Sequence, residues 1–158
     1  MAAPFRAAVD GGSRGNPGPA AWAVAVLDAD GRYVEGFGGF LGQATNNAAE
    51  YRGLLAALDL AVERGADEVH LHADSELVVR QIEGRYKVRH PDLVLLHAEA
   101  ARRIARFRRF RIEHVPRERN READRLVNLV LDRAEKAGPG RPVTVHEPCP
   151  PPTPSPSR

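Results

Sequence analysis

Helical and strand patterns alternate along residues 47–134, and this alternation limits the folds that the chain can adopt. Apolar spacing and capping residues predict helices at 47–64, 76–83 and 91–107, and a last helix from about 120. Period-two patterns predict strands between them, at 68–74 and 110–115. Strands that are joined through helices pair in parallel, with right-handed crossovers.

The first third of the chain predicts an antiparallel meander instead. Turns that contain glycine separate strand patterns at 5–10, 21–28 and 32–41. Together the two parts predict a mixed α/β fold. Its core would be a five-stranded mixed sheet, with three antiparallel strands followed by parallel ones, flanked by helices.

Composition predicts one domain over residues 1–137. Residues 138–158 are predicted to be a proline-rich disordered tail, because 8 of these 21 residues are proline. No run approaches the roughly 18–20 apolar residues of a membrane span, and the single cysteine, Cys149, cannot form an intrachain disulfide. We therefore expect a cytoplasmic monomer with no membrane association and no obligate protein partner.

Charge is divided unevenly along the chain. Residues 1–77 carry 5 basic and 11 acidic side chains, whereas residues 78–125 carry 14 and 7. An acidic site beside a basic surface is typical of a nucleic-acid enzyme that binds metal and phosphate together. A solvated helix face with mixed charges explains the same counts equally well.

Four carboxylates lie at the ends of predicted elements. Asp10 and Asp74 each close a strand. Glu50 opens the first helix at the rim of its apolar stripe, and Asp124 lies in the first turn of the last helix. Each has a purely local explanation as a turn or helix-end residue, and Glu50 would form a capping box with Asn47.

Taken together, the four acids favour a metal site. Sites in parallel sheets collect beyond the carboxyl ends of the strands, and four acids that converge there would repel one another without a cation. Carboxylate oxygens are the ligands that Mg²⁺ prefers. Two ions roughly 3.5–4 Å apart can act together on one phosphodiester.

The residues around these acids resemble the type 1 ribonucleases H. The resemblance spans about residues 5–135, and four segments carry it in order: VDGGSRGNPGPAAWAVAV, TNNAAEYRGLLAAL, LHADSELVVRQI and HVPRERNREADRLVN. It implies the ribonuclease H fold and a two-metal-ion endonuclease that uses Mg²⁺, with Mn²⁺ able to replace it. The implied reaction hydrolyses the RNA strand of RNA·DNA hybrids to 5′-phosphate and 3′-hydroxyl products. The catalytic and metal-binding acids of the family map onto Asp10, Glu50, Asp74 and Asp124.

The same resemblance implies seven substrate contacts: Gly11, Gly12, Asn16, Thr45, Asn46, Asn47 and Gln81. The glycines would let backbone amides approach the RNA strand, where a side chain would obstruct. The first asparagine and the threonine correspond to positions that hold a phosphate of the DNA strand. The last three correspond to positions that read the minor groove and the 2′-hydroxyls, which distinguish RNA from DNA. Turn asparagines and helix caps are the alternative interpretation.

One feature of the family is missing. Many relatives carry a histidine in a loop shortly before the last catalytic acid, whereas residues 116–123 read PRERNREA. This segment resembles a prokaryotic subgroup that is arginine-rich at this place. Glu118 or Arg119 is predicted to replace the histidine in proton transfer or phosphate contact. His114 is interpreted as a packed or strand-end residue.

A pair of histidines, His70 and His72, lies on one face of a predicted strand. The pair could ligate a metal, but the sequence shows no third ligand, and a surface strand is the favoured interpretation.

Two other functions are compatible with the sequence. One is a nuclease of the same fold that also cleaves double-stranded RNA. The other is a hybrid-binding module with weak or no catalysis, against which the presence of all four acids argues.

Overall fold

The computed structural model describes residues 3–149. Its strands are β1 (Phe5–Ser13), β2 (Gly18–Leu27), β3 (Tyr33–Ala44), β4 (Glu68–Ala73), β5 (Arg109–His114) and β6 (Thr144–Glu147). Its helices are α1 (Asn46–Glu63), α2 (Glu76–Ile82), α3 (Pro91–Ile104) and α4 (Arg121–Ala137). A 3₁₀ turn at Arg117–Arg119 precedes α4. None of these helices is long and apolar enough to span a bilayer.

The strands form one mixed sheet in the order β5-β4-β1-β2-β3-β6. The first three strands pair antiparallel with one another. β4 pairs parallel with both β1 and β5. The predicted mixed α/β fold, with antiparallel strands followed by parallel ones, is confirmed.

The predicted count of five strands is corrected to six. β6 pairs antiparallel with β3, although residues 138–158 were expected to form a disordered tail. Val145 is buried in the same apolar cluster as α4, and Glu147 binds the side chains of Tyr33 and Arg125. A four-residue strand within a proline-rich segment carries too little periodicity to predict. The remainder of the predicted tail, from residue 150 onward, lies outside the described residues.

Different helices cover the two faces of the sheet. On one face, Leu54 and Leu58 of α1 are fully buried in a cluster with Val9 and Leu71. Burying each such leucine contributes about 1.5–3 kcal/mol. On the other face, Leu126 of α4 is fully buried in a cluster that includes a row of β2 alanines, Ala21, Ala23 and Ala25. Small side chains at these positions leave room for α4 to lie close to the sheet.

The helix α4 packs on β1, β2, β3 and β6. On the face of the sheet that α4 covers, the outer strands β4 and β5 therefore lie beyond the main contacts of this helix. Polar residues occupy this surface, which we call the open face: Glu68, His70 and His72 of β4, and Arg109, Arg111 and Glu113 of β5.

Candidate active site

Two glycines bring β1 and α1 close enough for Asp10 and Glu50 to meet. A Cβ atom at Gly11 would overlap the carbonyl group of Ala49. A Cβ atom at Gly53 would lie 2.5 Å from the carbonyl oxygen of Asp10. Any larger residue at either position would push the helix away from the strand. The absence of a side chain is thus what seats the first turn of α1 on the end of β1.

The start of α1 differs from the capping box that the sequence predicted. Thr45 is the N-cap, and its hydroxyl accepts a hydrogen bond from the Ala48 amide at 3.2 Å. Asn47 lies inside the helix, so its predicted capping partnership with Glu50 is wrong. Glu50 is therefore free of a capping role and turns toward the sheet.

Three of the predicted acids converge. Val9 of β1 pairs with Ala73 of β4 in parallel register, so the residues that follow them, Asp10 and Asp74, emerge side by side. Glu50 approaches from α1. One carboxylate oxygen from each of the three acids lies within 4.8 Å of the others.

Burial makes this group of acids unstable as three bare anions. Desolvation, with the charge of Asp74 nearby, raises the pKa of Asp10 to about 7. Desolvation and the charge of Asp10 raise the pKa of Glu50 well above its usual range. Desolvation also raises the pKa of Asp74. Such a group favours either protons or a bound cation, and an all-oxygen donor set suits a hard divalent metal ion. The residues present therefore fit a divalent metal site.

Asp124 and Arg117 complete the rim of the same cavity. Asp124 lies in the first turn of α4, and one of its oxygens is 3.6 Å from a terminal guanidinium nitrogen of Arg117. Both line a cavity of about 440 Å³ together with the three converging acids. The positive charge of Arg117 acts against the upward shift in the pKa of Glu50 and Asp74. Asp124 is less buried than Asp10, with 35% of its side chain exposed.

Asn120 connects the acids to the loop that precedes α4. Its side chain is buried, and its Nδ2 donates a hydrogen bond to the carbonyl oxygen of Val9 at 2.9 Å. The Asn120 side chain also lowers the pKa of Asp74, which partly offsets the effect of desolvation on that carboxyl. The sequence reasoning missed both Asn120 and Arg117. The signal for both residues was the arginine-rich segment itself. Within that segment, the sequence-based prediction selected Glu118 and Arg119, which lie between Arg117 and Asn120.

The predicted substrate contacts fall into three groups. Gly11, Gly12, Asn46 and Asn47 line the acidic cavity. Two others are engaged at its edge: the Asn16 side chain accepts from the Asn46 amide at 3.0 Å, and Thr45 caps α1. Gln81 is different, because it is 4% exposed and its side chain accepts a 2.6 Å hydrogen bond from the Tyr51 hydroxyl. The prediction that Gln81 reads the groove is therefore corrected: this residue belongs to the core.

The predicted replacements for the loop histidine also need correction. Glu118 and Arg119 line a second cavity with His72 and Glu113, on the other side of the loop. Arg117 is the member of this segment that faces the acids. His114 is exposed at the end of β5, consistent with its interpretation as a strand-end residue.

The chain is similar to known proteins in both sequence and structure. A family model described as reverse transcriptase-like matches residues 8–130. The bifunctional protein Rv2228c of Mycobacterium tuberculosis is 51% identical over 129 residues, which cover 81% of this chain and 35% of that protein. The chain thus spans about a third of the length of this relative.

Two solved structures are similar over nearly their entire length. The crystal structure of RNase H1 from the halophilic archaeon Halobacterium salinarum superposes with a TM-score of 0.80 at 42% identity, covering 84% of this chain and 100% of that one. The structure of LC11-RNase H1 in complex with an RNA/DNA hybrid gives a TM-score of 0.77 at 39% identity, covering 83% and 99%.

A mixed sheet with carboxylates at the ends of adjacent parallel strands and on the helix above them defines the class of ribonuclease H-fold proteins. The chain belongs to the reverse transcriptase-like family and, within it, to the type 1 ribonucleases H.

Proposed function

We propose that this protein is a metal-dependent endonuclease that hydrolyses the RNA strand of RNA·DNA hybrids to 5′-phosphate and 3′-hydroxyl products. The observation that carries the proposal is the convergence of Asp10, Glu50 and Asp74 within 4.8 Å. The similarity to LC11-RNase H1, which was solved with an RNA/DNA hybrid, supports the choice of substrate. We also propose that the protein belongs to the arginine-rich subgroup and acts in the cytoplasm as a monomer, with all of its catalytic residues within residues 1–137.

We assign the metal-binding role to the four acids, which would hold two Mg²⁺ ions, with Mn²⁺ able to replace them. When bound, a pair of such ions activates a water molecule on one side of a phosphodiester and stabilises the leaving oxygen on the other. The raised pKa values of Asp10 and Glu50 support this assignment, because a divalent cation relieves the repulsion that burial imposes on the carboxylates.

The rest of the cavity is suited to orient the substrate. Arg117 lines the cavity beside the acids, with 79% of its side chain exposed. Its guanidinium can donate to the oxygens of the phosphate beside the metal site. Asn46 and Asn47 line the same cavity, where their amides can meet base edges and 2′-hydroxyls. Gly12 has no atom closer than 3.6 Å to a Cβ built on it, so its backbone is open to a nucleic-acid strand.

One cleavage assay tests the function. Purified protein with Mg²⁺ is given a labelled RNA·DNA hybrid, an RNA duplex and a DNA duplex of the same sequence. We expect internal cuts in the RNA of the hybrid and none in the DNA duplex. Cleavage of the RNA duplex at a comparable rate would widen the substrate class to double-stranded RNA. Binding of the hybrid without cleavage in either Mg²⁺ or Mn²⁺ would contradict the proposal and leave a hybrid-binding module.

A further inference from the structure

A second group of metal-binding side chains lies on the open face, away from the acids. Parallel pairing sets His72 of β4 opposite Glu113 of β5, and His70 lies two residues earlier on the same side of β4. The Nε2 atom of His70 is 3.7 Å from Oε1 of Glu113, and the Nε2 atom of His72 is 3.8 Å from Oε2. One donor atom from each of the three residues lies within 4.8 Å of the others.

We propose that His70, His72 and Glu113 form a second metal site, which binds a transition-metal ion of the Zn²⁺ class and is separate from the carboxylate site. Two imidazoles and one carboxylate make a donor set that suits Zn²⁺, with the fourth position left to water. Mg²⁺ prefers oxygen ligands throughout, so the two sites differ in the ion that they select. The third ligand, which the sequence could not identify, is supplied by the neighbouring strand.

The spacing requires the side chains to draw together around the ion. A tetrahedral site with metal–ligand bonds of about 2.0–2.2 Å has donors about 3.3–3.6 Å apart. The two histidines approach different oxygens of Glu113, at 3.7 and 3.8 Å, and donor atoms taken one from each residue lie within 4.8 Å of one another. Strand register already places the three residues side by side, so rotation of the side chains can bring one carboxylate oxygen and the two imidazole nitrogens to this spacing.

One buried atom of this group is left without a partner inside the chain. Among the described residues, Nε2 of His70 is buried and has no hydrogen-bond partner. Buried polar atoms are nearly always paired, with protein, water or an ion. Desolvation, reinforced by the neighbouring His72, lowers the pKa of His70, which favours the neutral imidazole that metals bind.

Two arginines limit the affinity of this site, and one of them gives a specific test. Arg6 lies 3.2 Å from Nδ1 of His70. A guanidinium can only donate, so this contact places the imidazole proton on Nε2. Metal binding at Nε2 moves the proton to Nδ1, and the Arg6 contact must then open. Arg111 pairs with Oε1 of Glu113, which leaves Oε2 for the metal.

An ion at this site would cross-link β4 to the edge strand β5. The chain continues from Glu113 through Val115 to the turn that carries Arg117 and Asn120. A bound ion would therefore restrain the strand from which this part of the nuclease site departs. The proposal concerns metal binding and stability, and it holds whether or not the nuclease activity is found.

The experiment measures Zn²⁺ binding to the full chain by calorimetry, and Co²⁺ binding by its visible absorption, with Mg²⁺ in excess to occupy the acids. Wild type is compared with His70→Ala/His72→Ala and with Glu113→Gln. His114→Ala is the matched control, since His114 is exposed and lies on the opposite face of the same strand from Glu113. The exposed thiol of Cys149 and the four acids are present in every protein, so the differences isolate the site.

We expect wild type and His114→Ala to bind about one more ion per chain than the double-histidine variant, with the absorption of four-coordinate Co²⁺. Glu113→Gln should weaken binding by more than about 10-fold. Arg6→Ala should tighten it severalfold, because the competing contact is gone. Equal stoichiometry and affinity in wild type and Glu113→Gln would overturn the proposal. Circular dichroism checks the fold of each variant, and Glu113→Gln decides the question if the double-histidine variant does not fold.

Discussion

The backbone of Gly11 in β1 lies directly against Ala49 in the first turn of α1, so closely that a Cβ atom at position 11 would overlap the Ala49 carbonyl group. Asp10 directly precedes Gly11, and Glu50 directly follows Ala49. The contact between two small residues therefore sets the separation of these two carboxylates. Gly11 was predicted to admit the RNA strand, and the structure gives it a packing role that is sufficient to require glycine.

Gly11→Ala is expected to destabilise the fold and to separate Asp10 from Glu50. Overpacking of this kind typically costs about 1–3 kcal/mol, and the hybrid cleavage rate should fall with it. Gly12→Ala is the control, because a Cβ there meets only Val127 at 3.6 Å. Urea unfolding of both variants measures the difference. Equal stability of the two variants would contradict the packing role.

Asp10→Asn is expected to lower the rate of cleavage by more than about 100-fold. Removal of a residue that only hydrogen-bonds to a metal ligand already lowers activity about 10- to 100-fold, and Asp10 is itself a proposed ligand. The same variant tests the electrostatics. The pKa of Asp10 is raised from 3.8 to about 7 in the folded state, so the folded protein binds this proton more tightly than the unfolded chain does. The resulting stabilisation is complete below pH 4 and is lost as the pH rises through 7.

Thermal unfolding in EDTA between pH 4 and pH 8 measures this effect. Metal-free wild type should lose stability as the pH rises, by an amount on the order of a few kcal/mol, whereas Asp10→Asn should lose much less. Addition of Mg²⁺ should restore stability to wild type at pH 8. Parallel pH profiles for the two proteins would show that the acids do not repel one another as inferred.

Arg117→Ala is expected to reduce the cleavage rate by roughly 10²-fold, the usual effect of removing one donor to a transition-state oxyanion. Its side chain is 79% exposed, so the free energy of unfolding should change by less than about 0.5 kcal/mol. Arg119→Ala is the matched control from the same turn, since Arg119 lines the other cavity. A larger loss of activity in Arg119→Ala would restore the prediction made from the sequence.

Glu147→Gln tests the attachment of β6 to the sheet. Hydrogen bonds from Arg125 and Tyr33 lower the pKa of Glu147 to about 2. The stability that this carboxylate contributes is therefore present above pH 4.5 and is lost as the pH falls toward 2. Wild type should exceed the variant by about 1 kcal/mol at pH 7, after allowing for solvent screening. Chemical denaturation at pH 7 and at pH 2.5 checks that this advantage shrinks with acid.

Much of the molecule follows from the sequence because it depends on local patterns. Alternating apolar residues and glycine turns predicted five of the six strands, and helical spacing predicted all four helices that the structure describes. The order of these elements predicted parallel pairing between strands that are joined through helices, as β4 and β5 are. The parallel pairing of β1 with β4, which places Asp10 next to Asp74, is known only from the tertiary structure.

Other features depended on contacts that no local pattern encodes. Gln81 lies in a segment that resembles a substrate-binding motif, yet the helix turns it inward to Tyr51. The arginine-rich turn holds three charged residues in succession, and only its path across the sheet decides that Arg117 faces the acids and Arg119 does not. β6 is held by a buried valine and by Glu147, whose partners Tyr33 and Arg125 lie far away in the sequence.

The sequence by itself therefore determined which residue types are available and which elements carry them. Helix and strand periodicities are set by residues within a few positions of each other, and they can be read from the chain. Only the tertiary structure decided which side chains share a cavity, because a carboxylate, a guanidinium or an imidazole acquires its partners across strands and helices. The pair of histidines in β4 illustrates the difference, since their third ligand, Glu113, comes from the adjacent strand β5.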